Sequence, residues 1–344
     1  MTRVAALLSP HPESRAGGVE RFCGLLADVL AARGFRAEIV GPSGEPPRWA
    51  YWVGGGPLVQ SRKAGAAAAR VDPELVVGNG FLGALGPRVP TIHVYHGTLA
   101  GYTRTSSGVS RRERTRWAFG GGFAEALAAR GATTVAVSDR VAGEVGRYYR
   151  ARVDAVIPNG IDTDRFVARD RGEARSRLGL GSDERIALYV GRLDPGKGAA
   201  EMPAACAAAG WTLAVAGPDP PPAGHHLGVL EHAELAWAYS AADAVLFPTR
   251  YEGCSYVVLE ALAAGVPVFT TEVGWMPTLL RSVPGYRALL APVGDVQAFA
   301  ALLRGGVTEA QSEAVAEASA FVREHNSLRA WAESWNALLD RVAP

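Results

Sequence analysis

The 344-residue sequence has little cysteine, almost no lysine and no long apolar run. Its three cysteines, Cys23, Cys206 and Cys254, are isolated and lack metal-ligand spacing, which favours reduced thiols in a cytoplasm. No apolar run approaches the roughly 20 residues that a membrane-spanning helix needs. Residues 1–3 lead directly into an expected strand, which leaves no room for a signal peptide. We therefore expect a cytoplasmic globular protein.

Motifs of several other enzyme classes are also absent. The sequence contains no Gly-x-Ser-x-Gly elbow, no Cys-x2-Cys pair and no Walker loop. Residues 78–83 spell a dinucleotide-binding fingerprint after an expected strand, but no Asp or Glu occurs between Ala84 and Ser110 to hold a ribose. His225-His226 lacks partner ligands for a metal ion in the sequence. We expect neither a nicotinamide site nor a metal site at these two places.

Strand-like and helix-like segments alternate along the chain, which predicts parallel sheets with helices on both faces. The length favours two domains, and 48% hydrophobic with 20% charged residues is ordinary for a globular protein. The expected strands are 4–8, 37–41, 75–77, 91–95, 134–137, 154–157, 186–190, 212–216, 244–247, 266–269 and 287–290. The expected helices include 19–33, 61–70, 111–130, 140–150 and an amphipathic final helix over 327–342.

The most informative stretch, residues 251–268, carries two carboxylates separated by seven residues. Glu252 lies in a Gly-containing turn, and Glu260 lies on the helix that this turn opens. A loop that joins the carboxyl end of a parallel strand to a helix N-terminus presents backbone N–H groups that suit a phosphate or a sugar oxygen. We expect a long ligand that is contacted at two points. The alternative is that Glu252 caps the helix and Glu260 is a solvated helix residue.

A second strand-loop-helix unit, residues 186–198, carries Arg192 and Lys197 in a Gly-rich loop. Arginine provides a planar fork and lysine a compact charge, the pair expected around a diphosphate leaving group. Only Lys63 and Lys197 are lysines among 35 basic residues, so a chain that otherwise uses arginine has a lysine in this loop. The alternative is a helix start with surface charges.

The net charge of +1 hides an asymmetry, because residues 1–165 hold 21 basic and 14 acidic side chains and the remainder holds 14 and 20. The basic excess is concentrated just before Trp117, at Arg104, Arg111, Arg112, Arg114 and Arg116. One interpretation of this cluster is contact with an anionic acceptor or with the inner face of an anionic membrane. The alternative is a solvated, arginine-rich helix start. We expect no nucleic-acid partner.

Further motifs occur in a consistent order over nearly the whole chain: Gly17-Gly18 followed by residues 19–22, His96-Gly97, residues 136–138, residues 158–162 and residues 293–295. Together with Gly191-Arg192, Lys197, Glu252 and Glu260, they resemble the motifs of the retaining family 4 glycosyltransferases, the glycosyl transferases group 1. The resemblance implies the GT-B fold, an α/β architecture of two Rossmann-like, doubly wound parallel-sheet domains facing a central cleft. It implies an acceptor-side domain over 1–160, a donor-binding domain over 165–324 and a last helix, 325–344, that crosses back onto the first domain.

The same resemblance implies that a sugar moves from a nucleotide-diphosphate donor to an acceptor hydroxyl, without a metal or other cofactor. Asp162-Thr163-Asp164 resembles a metal-binding motif but falls in the match to the interdomain hinge. The implied catalytic residues are His96, Arg192, Lys197 and Glu252. The implied donor-binding residues are Gly17, Gly18, Arg192, Lys197, Leu230, Glu231, Glu252, Gly253, Cys254, Ser255, Tyr256, Val257 and Glu260.

The implied roles divide the donor into parts. Arg192, Lys197 and the N–H groups of 255–257 would stabilise the leaving diphosphate, helped by Gly17 and Gly18. Glu260 would accept hydrogen bonds from the ribose and Glu252 would contact the transferred sugar. His96 would position that sugar or support the developing cation with its backbone carbonyl.

The donor and acceptor stay open. Glu231 could accept from guanine N1 and N2, whereas backbone groups alone can hold uracil, so UDP and GDP are both possible. Cys254-Ser255 and Trp275 depart from the common family pattern, so the sugar specificity of other family members cannot be assigned to this sequence. Trp49, Tyr51 and Trp52 could stack on an acceptor ring or pack locally. Two other functions are a nucleotide-sugar 2-epimerase of the same fold and a nonenzymatic nucleotide-sugar binding protein.

Overall fold

The structure is a computed structural model that describes residues 3–12, 17–45, 55–105 and 110–344. The loop aromatics Trp49, Tyr51 and Trp52 lie outside these residues. The chain divides into two compact units, residues 1–159 with 331–344 and residues 160–330. Within the described ranges, no helix is both long and apolar enough to cross a bilayer.

The first unit is built on a six-stranded parallel sheet. Its strands are β1 (Arg3–Leu8), β2 (Phe35–Val40), β3 (Leu75–Asn79), β4 (Thr91–Tyr95), β5 (Thr133–Ala136) and β6 (Ala155–Val156). Its helices are α1 (Gly18–Ala32), α2 (Gly56–Ala69), α3 (Leu99–Thr105), α4 (Arg111–Ala128) and α5 (Asp139–Tyr149), with a 3-10 turn at Gly80–Ala84. The strand order is β2-β1-β3-β4-β5-β6. β2 therefore lies on one side of β1 and β3 to β6 lie on the other, which places the topological switch point between β1 and β3.

The second unit is built on a five-stranded parallel sheet. Its strands are β7 (Ile186–Val190), β8 (Thr212–Ala216), β9 (His225–Gly228), β10 (Ala244–Phe247) and β11 (Val268–Thr270), in the order β11-β10-β7-β8-β9. Its helices are α6 (Arg171–Leu178), α7 (Glu201–Ala209), α8 (His232–Ala241), α9 (Tyr256–Ala263), α10 (Met276–Ser282), α11 (Val296–Gly305) and α12 (Glu309–His325), with 3-10 turns at Pro195–Lys197 and Pro284–Leu289. The switch point of this sheet lies between β7 and β10.

The central strands of both sheets are buried, as their near-continuous apolar sequences require. Residues 5–8 of β1 are fully buried, and every residue of β10 is buried. The last helix, α13 (Leu328–Val342), contributes an apolar face to the first unit. There Phe22 of α1 packs against Trp331 and Trp335, with ring centroids 5.9 and 5.6 Å away. Each large apolar side chain stabilises such a core by about 1.5–3 kcal/mol.

Lys63 on α2 fastens the segment that follows β2. Its Nζ donates to the backbone carbonyls of Ser43, Gly44 and Glu45 at 2.9, 3.0 and 3.0 Å. Three carbonyls that converge on one point match the three donors of a compact ammonium better than the fork of a guanidinium. One of the two lysines therefore has a structural role in the first unit.

The expected alternation of strands and helices is confirmed, and the expected final helix is present. One expected strand is wrong: residues 287–290 lie mostly in the 3-10 turn Pro284–Leu289, and only Leu290 forms an isolated bridge, to Thr270. Pro284 starts this turn, and the buried Tyr286 hydroxyl takes the place of a strand partner by bonding to the N–H and carbonyl of Val268 at 3.0 and 3.2 Å.

A strand at β9 was not expected, because its sequence begins with two histidines after a proline run. The two side chains have structural partners. His225 Nε2 contacts the Glu184 carboxylate at 2.9 Å, and His226 Nε2 contacts the Gly217 carbonyl at 2.8 Å. In the described parts of the chain, no group of three or more His, Cys, Asp or Glu side chains is arranged to hold a metal ion.

Candidate active site

Two loops of the second unit follow β7 and β10, the neighbouring strands on either side of its switch point. Parallel α/β sheets bind ligands outside the carboxyl ends of the strands at this position. The loop after β7 carries Arg192 and Lys197, and the loop after β10 carries Glu252. Residues far apart in the sequence thus meet at one edge of the sheet.

The loop after β7 is held by its own side chains. The Tyr189 hydroxyl donates to the Arg192 carbonyl at 2.7 Å, and the Asp194 carboxylate accepts from the Gly196 N–H at 2.7 Å. Gly198 ends the 3-10 turn with φ of +83°, and a Cβ there would lie 2.5 Å from the Pro248 ring. The backbone can therefore approach the β10 loop only with glycine at this position. Arg192 is exposed, whereas Lys197 is half-buried.

Lys197 and Glu252 form an ion pair between their Nζ and Oε1 atoms. The Thr249 hydroxyl donates to the same carboxylate oxygen at 3.2 Å. The Glu252 side chain is 15% exposed and that of Lys197 37%, so the pair sits at the border between protein and solvent. A charge pair in this setting can exchange partners with an entering phosphate or sugar at modest cost.

Two residues that sequence reasoning missed brace this arrangement. The Arg250 backbone N–H donates to the Gly196 carbonyl at 2.9 Å, and its guanidinium pairs with the Glu201 carboxylate on α7. The two loops are thus joined by both backbone and side-chain contacts. The sequence held only the weak signal of an arginine directly after the strand-ending Pro248-Thr249.

Ser255, not Glu252, caps helix α9. The Ser255 side chain accepts from the Val258 N–H at 3.5 Å, and Glu252 is engaged with Lys197 instead. The alternative in which Glu252 is the helix cap is therefore wrong. The first N–H groups of a helix have no partner inside it, and those of α9 begin at residues 255–257, in the loop that also carries Glu252.

Glu260 is buried, with 1% exposure, so the alternative of a solvated helix residue is also wrong. The Tyr239 hydroxyl on α8 donates to its carboxylate at 2.8 Å. The helix that follows Leu230 and Glu231 is the one that carries Tyr239. Glu231 is exposed and occupies the N-cap position of α8 without a side-chain cap bond. The Tyr239–Glu260 bond therefore links helix α9 to the helix that begins directly after Leu230 and Glu231.

A small pocket, open to solvent, lies beside Glu252, and its lining includes Ser255, Trp275 and Met276. Trp275 is 3% exposed, and its ring packs against that of Phe321 with the ring centroids 6.1 Å apart. A tryptophan at the wall of this pocket leaves less room than a small residue would. The departure of this position from the family pattern thus has a direct steric effect on the pocket.

In the first unit, His96 follows β4 and its Nε2 lies 2.8 Å from the Asn79 side-chain oxygen. The Asn79 amide nitrogen donates to the Leu8 carbonyl at 2.8 Å, so its oxygen faces the histidine. His96 must then donate from Nε2, which leaves Nδ1 as the unprotonated nitrogen. Burial lowers the pKa of His96 to about 4, so the ring is neutral at pH 7. Phe22 packs edge-on against the His96 ring, with the ring centroids 4.7 Å apart.

Residues 78–83, which resemble a dinucleotide-binding fingerprint, contact the side chains of His93 and His96. Asn79 orients His96, and a Cβ on Gly83 would lie 2.6 Å from Nδ1 of the fully buried His93. Burial lowers the pKa of His93 to about 3. Small residues are required here because the backbone packs directly on an imidazole, which is a different reason from pyrophosphate binding.

Gly17 is the N-cap residue of α1, and Gly18 is the first residue of that helix. A Cβ on Gly17 would lie 1.9 Å from the Glu20 carboxylate, which also accepts from the Ser9 hydroxyl at 3.3 Å. Glu20 was not anticipated as a site residue. Its carboxylate occupies the start of α1, the place where phosphate oxygens were expected to approach.

The chain matches two family models, Glycosyltransferase Family 4 over residues 16–165 and Glycosyl transferases group 1 over residues 184–307. These models cover both units and the loops just described. The chain belongs to the family 4 glycosyltransferases. The resemblance noted in the sequence is therefore confirmed.

Among curated members of this family, D-inositol 3-phosphate glycosyltransferase from Geodermatophilus obscurus is 32% identical over 283 residues, 73% of this chain and 60% of that protein. The chain spans 39%, 44% and 48% of the length of three other relatives with the same description.

Solved structures show the same fold. Sucrose-phosphate synthase from Thermosynechococcus elongatus superposes with a TM-score of 0.81 at 22% identity, with 98% of each chain covered. Anabaena Alr3699/HepE in complex with UDP-glucose gives a TM-score of 0.75 at 17% identity, with 98% of this chain and 99% of that chain covered. The fold of this family 4 protein is GT-B, as expected.

Proposed function

We propose that this family 4 protein transfers a sugar from a nucleotide-diphosphate sugar to an acceptor hydroxyl, with retention of the anomeric configuration and without a metal. The observation that carries the proposal is the Lys197–Glu252 pair at the β7–β10 switch point, with Arg192 exposed on the same loop. A cation for a diphosphate and a carboxylate for a sugar thus stand side by side.

The reaction breaks the bond between the anomeric carbon and the donor phosphate oxygen. The diphosphate leaves with the bonding electrons while the acceptor hydroxyl attacks the same face, and the hydroxyl proton passes to the departing phosphate oxygen. Negative charge grows on the diphosphate as the bond breaks, so fixed positive groups stabilise the transition state more than the bound donor. Arg192, Lys197 and the N–H groups of residues 255–257 would supply that stabilisation.

The remaining roles follow from the side chains. Glu252 would exchange its bond with Lys197 for a sugar hydroxyl, and Glu260 would accept from the ribose while Tyr239 orients its carboxylate. His96 is neutral, with Nε2–H committed to Asn79, so it would act through its position and its backbone carbonyl, not as an acid.

The nucleobase would lie near Leu230 and Glu231. Anabaena HepE was solved with UDP and with UDP-glucose, which supports a uridine nucleotide as the first donor to test. GDP-sugars stay candidates because the exposed Glu231 carboxylate can accept from guanine N–H groups. The curated relatives are described as acting on D-inositol 3-phosphate, which makes a phosphorylated polyol a reasonable first acceptor class.

The basic helix α4 would contact an anionic surface. Arg112, Arg116, Phe119 and Phe123 fall at spacings of four, three and four residues, which places them on one helix face. Phe119 is 77% exposed and Phe123 56%. Two arginines beside two exposed aromatic rings suit the charged headgroups and the apolar boundary of an anionic membrane.

The test begins with thermal-shift measurements against UDP, GDP and their sugars, followed by product analysis with and without acceptor in excess EDTA. Anomeric proton NMR should show that the product keeps the configuration of the donor. Inversion would contradict the retaining assignment, and turnover restored only by manganese or magnesium would contradict metal independence. Conversion of the donor sugar without any acceptor would favour the 2-epimerase, and binding without chemistry would favour a binding protein.

A further inference from the structure

The turn that follows His96 is tied down by side chains from two other helices. The Leu99 N–H donates to the Glu125 carboxylate on α4 at 2.9 Å, and the Ala100 N–H donates to the Tyr149 hydroxyl on α5 at 3.2 Å. The first N–H groups of a helix have no partner inside it. In α3 these partners therefore come from elsewhere in the unit.

The two partners are themselves joined. The Tyr149 hydroxyl donates to the same Glu125 oxygen that accepts from Leu99. A parallel link holds Thr98, whose hydroxyl donates to the Glu144 carboxylate at 2.6 Å and accepts from the Gly101 N–H at 2.9 Å. The start of α3 is thus clamped between α4 and α5.

Glu125 is an unusual residue for this position. It is 3% exposed, and the Tyr95 hydroxyl of β4 donates to its backbone carbonyl at 2.7 Å. Burial raises the pKa of Glu125 to about 7, with Glu144 adding to the rise and Tyr149 and Leu99 opposing it. An apolar side chain would avoid this cost of burial. A carboxyl group here has one evident effect, which is to accept hydrogen bonds from the turn and from Tyr149.

We propose that Glu125 is a positioning residue that fixes the His96 loop through the first turn of α3. Only Gly97 and Thr98 separate His96 from the clamped turn. The ring is held on its other side by Asn79 and Phe22, so the loop is fixed at both ends. This inference rests on the proposed function only for the consequence in turnover.

The experiment compares Glu125→Ala with Glu125→Gln in the full chain. Glutamine keeps an oxygen that accepts from Leu99 and Tyr149, whereas alanine keeps none. The matched control is Asp170→Ala, which removes another capping carboxylate, one that accepts from the Glu173 N–H at 2.7 Å in the second unit. Turnover, nucleotide affinity and nitrogen-15 NMR spectra of the histidine side chains are measured for all four proteins.

Glu125→Ala should lower kcat by about tenfold to a hundredfold, the loss expected for a misplacement of ~1 Å at a reacting centre. Its dissociation constant for UDP or GDP should stay within about twofold of the wild type, since the implied nucleotide-binding side chains are in the second unit. The His96 nitrogen resonances should move in Glu125→Ala and stay in place in Glu125→Gln and Asp170→Ala.

Unchanged His96 resonances together with wild-type kcat in Glu125→Ala would overturn the proposal. A loss shared by Asp170→Ala would do the same, because it would show a general effect of cap removal. If the wild-type protein transfers no sugar, the proposed function fails, but the NMR comparison still decides whether Glu125 holds the His96 loop.

Discussion

Lys197 shows how a single side chain links the resting structure to the proposed reaction. Its charge is matched by the Glu252 carboxylate. A diphosphate would compete for the same ammonium, and Glu252 would then be available to a sugar hydroxyl. Each charge of the pair compensates the other, so neither half-buried group is left unpaired before a donor binds.

Replacement of Lys197 by alanine should reduce turnover by about two to three orders of magnitude, as removal of one charge-stabilising donor does elsewhere. The loss in donor affinity should be smaller, because charge grows on the diphosphate only as the bond breaks. Lys197→Arg should recover little, since the planar fork directs its donors differently. Steady-state kinetics and calorimetry check this, with Arg304→Ala, a capping arginine of the same unit, as control. Full activity of Lys197→Ala would refute the assigned role.

A pH dependence of stability should arise from Glu125. Its pKa is raised from 4.5 to about 7 by burial, so the folded protein binds this proton more tightly than the unfolded chain. The stabilisation from the proton is fully present below about pH 4.5 and is lost as pH rises through 7, which amounts to about 3 kcal/mol. Relative to Glu125→Gln, the wild-type protein should lose that much unfolding free energy across this window. Denaturant titrations at several pH values measure it, and parallel curves for the two proteins would contradict it.

At the scale of elements, the pocket depends on how closely the turn before α10 approaches the turn before α9. Gly274 has φ of +58°, and a Cβ there would lie 2.6 Å from the Gly253 carbonyl oxygen and 2.7 Å from that of Glu252. The turn that carries Glu252 thus packs directly against the backbone of Gly274.

Gly274→Ala should therefore destabilise the protein and also displace Glu252. The positive φ alone costs about 1–2 kcal/mol, and the contact with the two carbonyls adds to it. The matched control is Gly210→Ala, which has φ of +70° with nothing within 4 Å of the added Cβ. Both variants should lower the unfolding free energy, but only Gly274→Ala should weaken donor binding and turnover. Equal kinetics in the two variants would show that the Gly274 contact does not place Glu252.

Regular elements with strong patterns were predictable from the sequence, and contacts between loops were not. The buried strands β7, β8 and β10 end where their apolar runs end, and the two carboxylates and two cations of the second unit follow them as expected. Thr249, Arg250 and Glu201 were not predicted because they act through bonds between loops, for which the local sequence holds at most a weak signal. The 3-10 turn at 284–289 resembles a strand in composition, since a buried tyrosine and leucines satisfy either structure.

At the scale of the whole molecule, the basic half and the acidic half of the chain fall largely into different units. Residues 1–165 hold 21 basic and 14 acidic side chains, and the remainder holds 14 and 20. An anionic surface should thus attract the first unit and repel the second.

Binding to vesicles that contain an anionic phospholipid should depend on the face of α4 formed by Arg112, Arg116, Phe119 and Phe123. The double variant Phe119→Ser/Phe123→Ser should lose most of the binding at moderate salt. Arg112→Gln/Arg116→Gln should weaken it by about 1 kcal/mol for each arginine at low salt. Cosedimentation with neutral vesicles is the reference, and the control is Leu85→Ser, which alters another exposed apolar residue of the first unit. Equal binding by all variants would contradict the membrane contact and leave a soluble anionic acceptor as the partner.

The scarcity of lysine has a practical consequence. The side-chain amines are Lys63, whose ammonium is bound by three carbonyls, and Lys197, whose ammonium is paired with Glu252. An amine-directed acylating reagent can therefore modify only two side chains, and only one of them is at the proposed donor site. Occupancy of that site becomes readable by mass spectrometry as protection of a single peptide, and an endoproteinase specific for lysine would cut the chain at the same two positions. The Lys197 amine can therefore report on binding at this site without an engineered label.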